Sequence, residues 1–498
     1  MSTELVAIFC YRVYYGYGYH TPMKNIPLAL TYDDVLVIPR RSTFTSRKEA
    51  NTSTRLTKQL SLNIPLVSAN MDTVTESDMA IALARLGGIG IIHRFMAIED
   101  NVEEVKRVKR AQNVVIHEPY HIASDKTIAE AKALGEKLGV GGFMVVHDDG
   151  RLAGVLSNRD VLFAGDNQKV SEVMTPREKL IVGNASTTFD EARALFAKHK
   201  IEKLPLVDAE DRICGLINSA DIQRRIEYPL SANDREGRLL VGAAVGVRGD
   251  YIERAQATVA AGADVLVIDI AHGHSDLMFA AIEKVRAACP TVPLIVGNVA
   301  TAQATKELCE VGVDAVKVGV GPGTTCVTRL VTGCGVPQLS AVLACAEVAA
   351  YYNVPIIADG GIQKSGDIVK ALGAGASSVM IGGLFAGTTE SPGVFMRRGD
   401  KKYKVCRGSA SFAVAQRRSH AVKEEKDLNE VVSEGVESIV PFKGPIEELV
   451  GQLVGGLKSG MSYVNSHSIA ELTRNAEFVQ ITNAGLRESG PHDLYEVK

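Results

Sequence analysis

A single cysteine on a glycine-rich turn is the residue of this sequence best placed for chemistry. Cys326 follows Gly321-Pro-Gly323 and is flanked by Thr325 and Thr328, directly after an apolar run from Ala315 to Val320. Glycines let backbone amides turn toward a ligand, where they hold phosphate or stabilise a thiolate. A thiol on a loop at the end of a strand is well placed to be a nucleophile. The alternative, a buried structural cysteine, is the commoner fate of the residue type, but the Gly-Pro-Gly turn favours the nucleophile.

Length and composition limit the classes of protein to be considered. The chain has 498 residues, 46% hydrophobic and 23% charged, which indicates a globular protein of at least two domains. A net charge of -3 gives no general basic field for DNA or for an anionic membrane. No apolar run reaches the roughly 18 residues of a membrane span. The tyrosine-rich residues 1–27 lack the features of a signal peptide and are predicted to be an N-terminal arm.

Cysteine usage indicates the compartment. The eight cysteines are scattered and include no C-x-x-C pair. This pattern favours reduced thiols over a disulfide framework. The predicted location is therefore the cytoplasm, with an organelle left open.

Two segments in the first half of the chain repeat one pattern. The ending Gly154-Val-Leu-Ser157-Asn-Arg-Asp160 recurs as Gly215-Leu-Ile-Asn218-Ser-Ala-Asp221, and each ending follows an amphipathic helical stretch and an apolar strand. A period of roughly 60 residues predicts a duplicated unit. It resembles a pair of cystathionine-β-synthase-type (CBS) modules. That resemblance implies that Ser157, Asp160, Asn218 and Asp221 bind purine nucleotides, whereas the alternative is that each Asp only caps the following helix.

Outside the repeat, short apolar runs alternate with helical stretches and predict a second architecture. The eight candidate strands are Pro65–Ser68, Ile89–His93, Leu240–Val245, Val265–Ile270, Leu294–Val296, Ala315–Val320, Pro355–Ala358 and Ser378–Ile381. Eight β-α units predict an α/β protein with a (β/α)8 (TIM) barrel. The barrel would comprise residues 28–112 and 228–498, and the CBS pair, residues 113–227, would be inserted in it. Polar and glycine clusters follow these strands, where such barrels carry their active sites.

Several ordered motifs resemble the IMP dehydrogenase / GMP reductase family. They are Leu30-Thr-Tyr-Asp-Asp-Val-Leu36, Ala69-Asn-Met-Asp-Thr-Val74, Asp359-Gly-Gly-Ile362 and Gly382-Gly-Leu-Phe-Ala-Gly-Thr388, and the likeness covers about residues 28 to 493. The resemblance implies a purine 5′-monophosphate substrate, GMP or IMP, and Cys326 as the nucleophile.

The resemblance also assigns the residues that would bind the substrate. Thr324, Gly361, Gly382 and Gly383 would hold the phosphate, and Asp359 would accept the ribose hydroxyls. Gly360 would also bind the substrate, and the alternative is that Gly360 and Gly361 form a plain turn. Ser68 and Met71 would line the ribose and base, and the remaining substrate residues would be Gly408, Ser409 and Glu434. Glu434 would accept from the N1 edge of the purine, with a solvated carboxylate as the alternative.

Further ligands follow from the resemblance alone. A nicotinamide cofactor would lie against Asp269, Ile270, Ala271, Asn298, Gly319 and Gly321. A potassium ion would be held by backbone carbonyls of Gly321, Gly323, Cys326, Glu488, Ser489 and Gly490, partly from the next subunit. Homotetramers that stack into octamers through the CBS pairs, under allosteric control by purine nucleotides, would be the assembly.

The reaction must be inferred from the flap, the segment that is predicted to run from Arg407-Gly408 to Glu434-Gly435. A dehydrogenase needs an activated water, which the family supplies through an Arg-Tyr pair, whereas a reductase needs a proton donor for departing ammonia. Residues 408–425 contain no Arg-Tyr pair, and Glu424 falls where similar reductases carry their catalytic glutamate. Glu424 with Thr328 would protonate the ammonia, unless the run Lys423-Glu-Glu-Lys426 is only a solvated surface.

We therefore expect a CBS-containing, NADPH-dependent GMP reductase of purine salvage, with NAD-dependent IMP dehydrogenase as the alternative. The insertion and the segment from Glu488 to Gly490 are dehydrogenase-like, and Gly408-Ser-Ala-Ser411 departs from the pattern of both branches. Two other classes are a nucleotide sensor and a flavin oxidoreductase. Neither needs the nucleophile Cys326.

Overall fold

Eight parallel strands close into a barrel, as the sequence predicts. The computed structural model describes residues 26–112, 115–116, 119–138, 140–412, 414 and 432–491. The barrel strands follow one another in chain order around the barrel, and the last pairs with the first. They are β1 (Leu66–Ser68), β2 (Ile89–Ile92), β3 (Val241–Val245), β4 (Val265–Asp269), β5 (Leu294–Val299), β6 (Ala315–Val318), β7 (Ile356–Asp359) and β8 (Ser378–Ile381).

Alternation along each strand decides which side chains fill the barrel. On β4, Val265 and Val267 belong to the cluster inside the barrel, whereas Leu266 and Ile268 pack outward against the helices. Because successive side chains point to opposite faces, Asp269 continues the inward set. The inward set therefore changes from apolar to charged at the carboxyl end of the strand.

Eight helices cover the outside of the barrel and shield the apolar outer faces of its strands. They are α1 (Ser77–Arg85), α2 (Ile98–Ala111), α3 (Tyr251–Ala260), α4 (Asp276–Ala288), α5 (Ala302–Glu310), α6 (Gln338–Tyr351), α7 (Ser365–Gly373) and α8 (Ile446–Tyr463). Local chemistry explains their ends: the Thr301 hydroxyl accepts from the Ala304 amide at 3.2 Å and so caps α5. Among the described residues, no helix is both long and apolar enough to cross a membrane.

The insertion between β2 and β3 contains two small sheets, one for each predicted repeat. Its strands are His121–Ala123, Gly142–Val146, Leu152–Ser157 and Thr175–Pro176 in the first sheet, and Gly183–Asn184, Lys203–Val207 and Ile213–Asn218 in the second. Its helices are Ile128–Leu138, Asn158–Phe163, Val170–Val173, Phe189–His199 and Ser219–Glu227, with a 3-10 turn at Arg177–Lys179. Each sheet has its own buried apolar cluster, separate from the barrel. The limits 113 and 227 stay predictions.

The two points where the insertion joins the barrel lie close together. β2 and β3 are neighbouring strands, with Gly90 opposite Val241. Beside them, the Gln112 side chain donates to the Ser231 hydroxyl at 3.3 Å. The insertion therefore interrupts the chain without separating neighbouring barrel strands.

The remaining elements lie at the ends of the barrel. An antiparallel sheet of Phe395–Arg398, Lys401–Arg407 and Glu437–Pro441 carries the flap, and Val35–Val37 pairs with Phe478–Gln480. The other short elements are the strands Thr54–Arg55 and Ser61–Leu62, the 3-10 helices Tyr32–Asp34 and Arg47–Glu49, and the helices Thr328–Thr332, Gly383–Ala386, Ile469–Asn475 and Asn483–Glu488.

Candidate active site

A chain of hydrogen bonds links the predicted nucleophile to a carboxylate. The Cys326 thiol donates to the Thr328 hydroxyl at 3.1 Å, and that hydroxyl donates to Oε2 of Glu434 at 2.8 Å. All three residues are partly exposed. The arrangement offers a path by which a proton can move between the thiol and the carboxylate.

Backbone pairing fixes Glu434 beside the cysteine loop. The Val327 amide donates to the Glu434 carbonyl at 2.8 Å, and the Val436 amide donates to the Thr325 carbonyl at 2.9 Å. These bonds flank an antiparallel bridge between Cys326 and Gly435. Glu434 therefore reaches Thr328 because its own segment is paired with the loop.

The first residues of the flap extend this pairing. The Gly408 amide donates to the Val436 carbonyl at 3.0 Å, and the Glu434 amide donates to the Ala410 carbonyl at 3.1 Å. A methyl group on Gly408 would lie 3.0 Å from the Thr325 carbonyl oxygen, which is tighter than most side-chain contacts, so glycine favours this close approach. Gly408 thus lies at the predicted site, with Ser409 next to it in the chain.

The predicted phosphate-binding loops converge on the same place. A methyl group on Gly383 would lie 2.7 Å from the Thr324 hydroxyl, and one on Gly360 would lie 2.9 Å from Pro322. One on Gly382 would lie 2.9 Å from the sulfur of Met71. The loops after β1, β6, β7 and β8 therefore lie against one another, with glycines at the points of closest approach.

Two more predicted residues line this region. Gly361 has φ +83°, and a methyl group there would lie 3.3 Å from the Tyr32 ring. Ser68, at the end of β1, is fully buried, and its hydroxyl accepts from the Thr75 hydroxyl at 2.8 Å. The prediction that Ser68 lines the ribose is not tested by this contact.

A buried lysine that the sequence interpretation missed lies at the centre of the site. The ammonium of Lys317, on β6, lies 2.8 Å from Oδ1 of Asp269 and 2.7 Å from Oδ2 of Asp359. It also donates to the side-chain oxygen of Asn298. Three residues predicted to bind substrate or cofactor therefore share one cation.

The electrostatic effect of the cluster follows from burial and charge. Burial alone would raise the pKa of Asp269, but the adjacent Lys317 ammonium, which also donates a hydrogen bond, holds that pKa below its usual value. The pKa of Lys317 is raised, because the two carboxylates outweigh its desolvation. The ammonium and the Asp269 carboxylate are therefore both charged at neutral pH.

A signal for Lys317 was present in the sequence. It interrupts the apolar run Ala315–Val320, and on β6 it faces inward two residues after Ala315, which belongs to the interior cluster. The same alternation turns Asp359 inward two residues after Ile357 on β7. A charge at an inward position of a barrel strand needs a partner nearby.

A buried ion pair attaches the base of the flap to the loop after β1. Arg407 contacts Asp72 at 3.2 Å, and its backbone amide donates to the Thr73 hydroxyl at 3.0 Å. Both side chains of the ion pair are largely buried. These two contacts therefore join the loop that carries Met71 to the strand that leads to Gly408.

The loop after β4 contacts the end of β5. The Ile270 amide donates to the Gly297 carbonyl at 3.0 Å, and the Asn298 amide donates to the Ile270 carbonyl at 2.9 Å. Ile270 and, after it in the chain, Ala271 therefore lie beside Asn298, as the cofactor prediction requires.

The cysteines differ in accessibility. Cys326 is partly exposed and Cys334 is exposed, whereas Cys289, Cys309 and Cys345 are buried. Burial raises the pKa of Cys309 to about 11 and that of Cys345 to about 12. Such thiols are poor nucleophiles at neutral pH.

The residues predicted to bind regulatory nucleotides make contacts within their own modules. Oδ2 of Asp160 accepts from the amide of Ser157 at 2.8 Å and from its hydroxyl at 2.6 Å, which completes a capping box. Asp221 accepts from the Asn218 side chain at 3.0 Å and contacts Arg224 at 3.0 Å. Asp160 therefore takes part in a helix cap, and nucleotide binding by Asp160 and Asp221 stays a prediction.

Two parts of the predicted site are not brought together by this chain's described contacts. Glu424 lies outside the described residues, so its role stays a prediction. Of the predicted potassium ligands, Glu488 ends a helix that packs beside Tyr32–Asp34, with Ser489 and Gly490 after it, while Gly321, Gly323 and Cys326 lie on the loop after β6. Among the described residues, no group of three His, Cys, Asp or Glu side chains could hold a metal, so a potassium site would depend on carbonyl oxygens.

Comparison with known proteins extends this picture. Residues 29–492 match the family model described as "IMP dehydrogenase / GMP reductase domain". The chain is 48% identical over 469 residues to the inosine-5′-monophosphate dehydrogenase of Nitrosopumilus maritimus, covering 93% of this chain and 98% of that protein. It is 47% identical over 483 residues to the GMP reductase of Leishmania donovani, covering 95% and 98%.

A solved structure is similar over nearly the whole chain. It is a cysteine-to-alanine variant of Trypanosoma brucei GMP reductase in complex with guanosine 5′-monophosphate, with 45% identity and a TM-score of 0.88. The match covers 95% of this chain and 99% of that one. The family match, the two relatives and the barrel with its cysteine loop agree: the chain belongs to the IMP dehydrogenase / GMP reductase family.

Proposed function

We propose that this protein is a GMP reductase, which deaminates GMP reductively to IMP and ammonia. The observation that carries the proposal is the hydrogen-bonded chain from Cys326 through Thr328 to Glu434. It supplies a nucleophile and a proton donor, the two groups that displacement of an amine requires.

The chain of hydrogen bonds suggests the order of proton movements. The Cys326 proton passes to the Thr328 hydroxyl, and the Thr328 proton passes to Glu434, which leaves a thiolate and a neutral carboxylic acid. The thiolate adds to C2 of GMP, and Glu434 returns its proton through Thr328 to the departing ammonia. Bound NADPH supplies the hydride that replaces the sulfur at C2, so that GMP, NADPH and two protons become IMP, NADP+ and ammonium.

Substrate binding is supported by the meeting of four loops. The amides of Gly361, Gly382 and Gly383, with the Thr324 hydroxyl, would hold the phosphate, and Asp359 would hold the ribose. Glu424 remains a second candidate for the acid. Binding of GMP in the Trypanosoma brucei relative supports this choice of substrate.

The residues present fit a nicotinamide cofactor. Asp269 at the end of β4, Ile270 after it and Asn298 near the end of β5 lie side by side, next to the glycines 319 and 321 after β6. Gly319 has φ +154°, and a methyl group there would lie 2.1 Å from the Asp359 carbonyl oxygen. Gly319 thus allows the loop after β6 to pack directly against the end of β7, and Asp269, Ile270 and Asn298 would orient the cofactor ring toward C2.

Regulation and assembly belong to the same proposal. Purine nucleotides would bind the insertion near Asp160 and Asp221, and they would shift an equilibrium between tetramers and octamers if they prefer one of the two. A potassium ion would order the cysteine loop, and the enzyme would work in the cytoplasm.

The second candidate, oxidation of IMP by NAD, is favoured by one observation. A relative with 48% identity carries the dehydrogenase name. Against it stands the flap sequence, because residues 408–425 contain no Arg-Tyr pair to activate water. A missing base costs roughly 10² to 10⁴ in rate, so hydrolysis would be slow.

An absorbance assay at 340 nm distinguishes the two. One sample contains GMP with NADPH, and the other contains IMP with NAD and potassium. Loss of absorbance in the first sample alone is expected, and it should disappear in Cys326→Ala. A gain in the second sample alone would overturn the proposal in favour of the dehydrogenase.

A further inference from the structure

We propose that Lys317 is a positioning residue that aligns Asp359 with the ribose hydroxyls and so sets a preference for ribonucleotides over 2′-deoxyribonucleotides. This inference deepens the proposed function, since it rests on a purine nucleotide binding at this site. It assigns a role to a lysine that is not expected to touch the substrate itself.

The contacts of Asp359 carry the argument. Its Oδ2 atom accepts from the Lys317 ammonium at 2.7 Å and from the Asn298 side-chain amide at 3.0 Å. Because each carboxylate oxygen has two lone pairs, Oδ2 is fully used. No described residue donates a hydrogen bond to Oδ1, and the side chain keeps 19% of its surface exposed. Oδ1 is therefore the oxygen left to accept from a ligand.

The rotation of the carboxylate depends on the ammonium. Lys317 is only 2% exposed and holds Asp269 on its other side at 2.8 Å. Without the ammonium, the carboxylates of Asp269 and Asp359 would share one buried site, where the positive charge of Arg94 acts on Asp269. Like charges in a buried site repel, so one carboxylate would turn away or take up a proton. Either change would remove the fixed acceptor at Oδ1.

Lys109 offers a matched control, because it lies at the other end of β4, the strand that Asp269 ends. Lys109 is also buried, and it lies 3.1 Å from Asp234 and 2.6 Å from Asp264. Asp264 comes directly before β4, and Asp269 ends it. Lys109→Met therefore removes a similar buried cation from between two carboxylates, but far from the nucleotide site.

The experiment compares binding of GMP and 2′-deoxy-GMP by calorimetry with the full chain, in wild type, Lys317→Met and Lys109→Met. A hydrogen bond to a charged group is worth about 10- to 100-fold in affinity, which is the preference for GMP expected in wild type and in Lys109→Met. Lys317→Met should lower that preference to about threefold or less, because the fixed acceptor is lost. The phosphate is common to both ligands and cancels in the ratio.

A second pair of variants keeps the test decisive if Lys317→Met does not fold. Asp269→Asn keeps the contact between Lys317 and Asp359, and should retain the wild-type preference. The double variant Lys317→Met with Asp269→Asn keeps the net charge and removes the repulsion between the carboxylates. It should still lose the preference, because Oδ2 of Asp359 lacks the 2.7 Å contact with the ammonium that fixes its rotation.

The outcomes separate the inference from the proposed function. A wild-type preference in Lys317→Met, or in the double variant, overturns the positioning role and leaves the GMP reductase proposal standing. If wild type binds neither GMP nor IMP, both proposals fail.

Discussion

The hydroxyl of Thr328 lies 2.8 Å from Oε2 of Glu434, a residue 106 positions later in the chain. The cysteine loop and the far end of the flap therefore share one proton path. Backbone hydrogen bonds join the Glu434 end of the flap to the cysteine loop, and Gly408 at its other end bonds to Val436. The proton path therefore depends on the pairing of Glu434 with the loop.

Glu434→Gln should lower kcat about 10²- to 10⁴-fold, because an amide cannot take up and return the proton. The KM for GMP should change little if Glu434 acts on the proton rather than on the purine. Steady-state assays with GMP and NADPH measure both quantities. Glu424→Gln is the matched comparison, and a larger kcat loss in that variant would transfer the role to Glu424.

Thiol labelling at pH 8 should modify Cys326 and Cys334 before the other cysteines of the described residues. Cys309 and Cys345 should stay unlabelled, because burial raises their pKa values to about 11 and about 12. Mass spectrometry of tryptic peptides identifies the labelled residues. GMP should protect Cys326 but not Cys334, and equal protection of both would contradict a substrate site at Cys326.

Lys317→Met should destabilise the protein more at pH 8 than at pH 5. Burial raises the pKa of Asp269 and the ammonium is the main influence that opposes it, beside Arg94 and Asn70, so this pKa is higher in the folded variant than in folded wild type. The folded variant then binds more protons than folded wild type, so its stability relative to wild type falls as pH rises through that pKa. Urea unfolding midpoints at four pH values measure the difference from wild type.

Lys404→Met is the control for this pH dependence. The Lys404 ammonium is buried and donates to the backbone carbonyls of Thr388, Thr389 and Ser391, so its loss exposes no carboxylate. Its destabilisation should be the same from pH 5 to pH 8. If the destabilisation caused by Lys317→Met is also independent of pH, then Asp269 does not titrate between pH 5 and pH 8.

Gly319→Ala should reduce both stability and activity. The new methyl group would lie 2.1 Å from the Asp359 carbonyl oxygen, and φ is +154°, so the backbone must shift. The loss should exceed the roughly 1–3 kcal/mol of a strained backbone. Gly399→Ala is the control, because Gly399 also has positive φ, +62°, but open space around it, and about 1–2 kcal/mol is expected there. Equal losses of stability in the two variants would mean that the backbone around Gly319 relieves the clash at no cost in stability.

The barrel could be predicted because each strand is an apolar run that is visible in its own local sequence. All eight predicted strands are confirmed, and the helix Asp276–Ala288 ends where its pattern ends. Apolar runs and helical periodicity depend on neighbouring residues, so they survive in a single sequence. The family resemblance was confirmed by the comparisons.

The site could be predicted only in part, because its key contacts join distant segments. We expected Glu434 at the purine edge. In the structure its carboxylate accepts a hydrogen bond from the Thr328 hydroxyl, and backbone pairing with the cysteine loop places it there. No local sequence pattern predicts that pairing. Lys317 was overlooked because its two carboxylate partners lie 48 and 42 residues away. Only the inward alternation of three separate strands brings them together.

The neighbouring attachment points of the insertion bear on the order in which the chain can fold. Pairing β2 with β3 closes a loop that holds the whole insertion, and a long disordered loop is costly in entropy. The insertion has its own apolar clusters, and a third one, of Met144, Val155 and Leu216, joins its two sheets. Once these clusters form, the loop shortens to the few residues at its two joints. An insertion that folds early would therefore speed closure of the barrel, and one that misfolds would hold the barrel open.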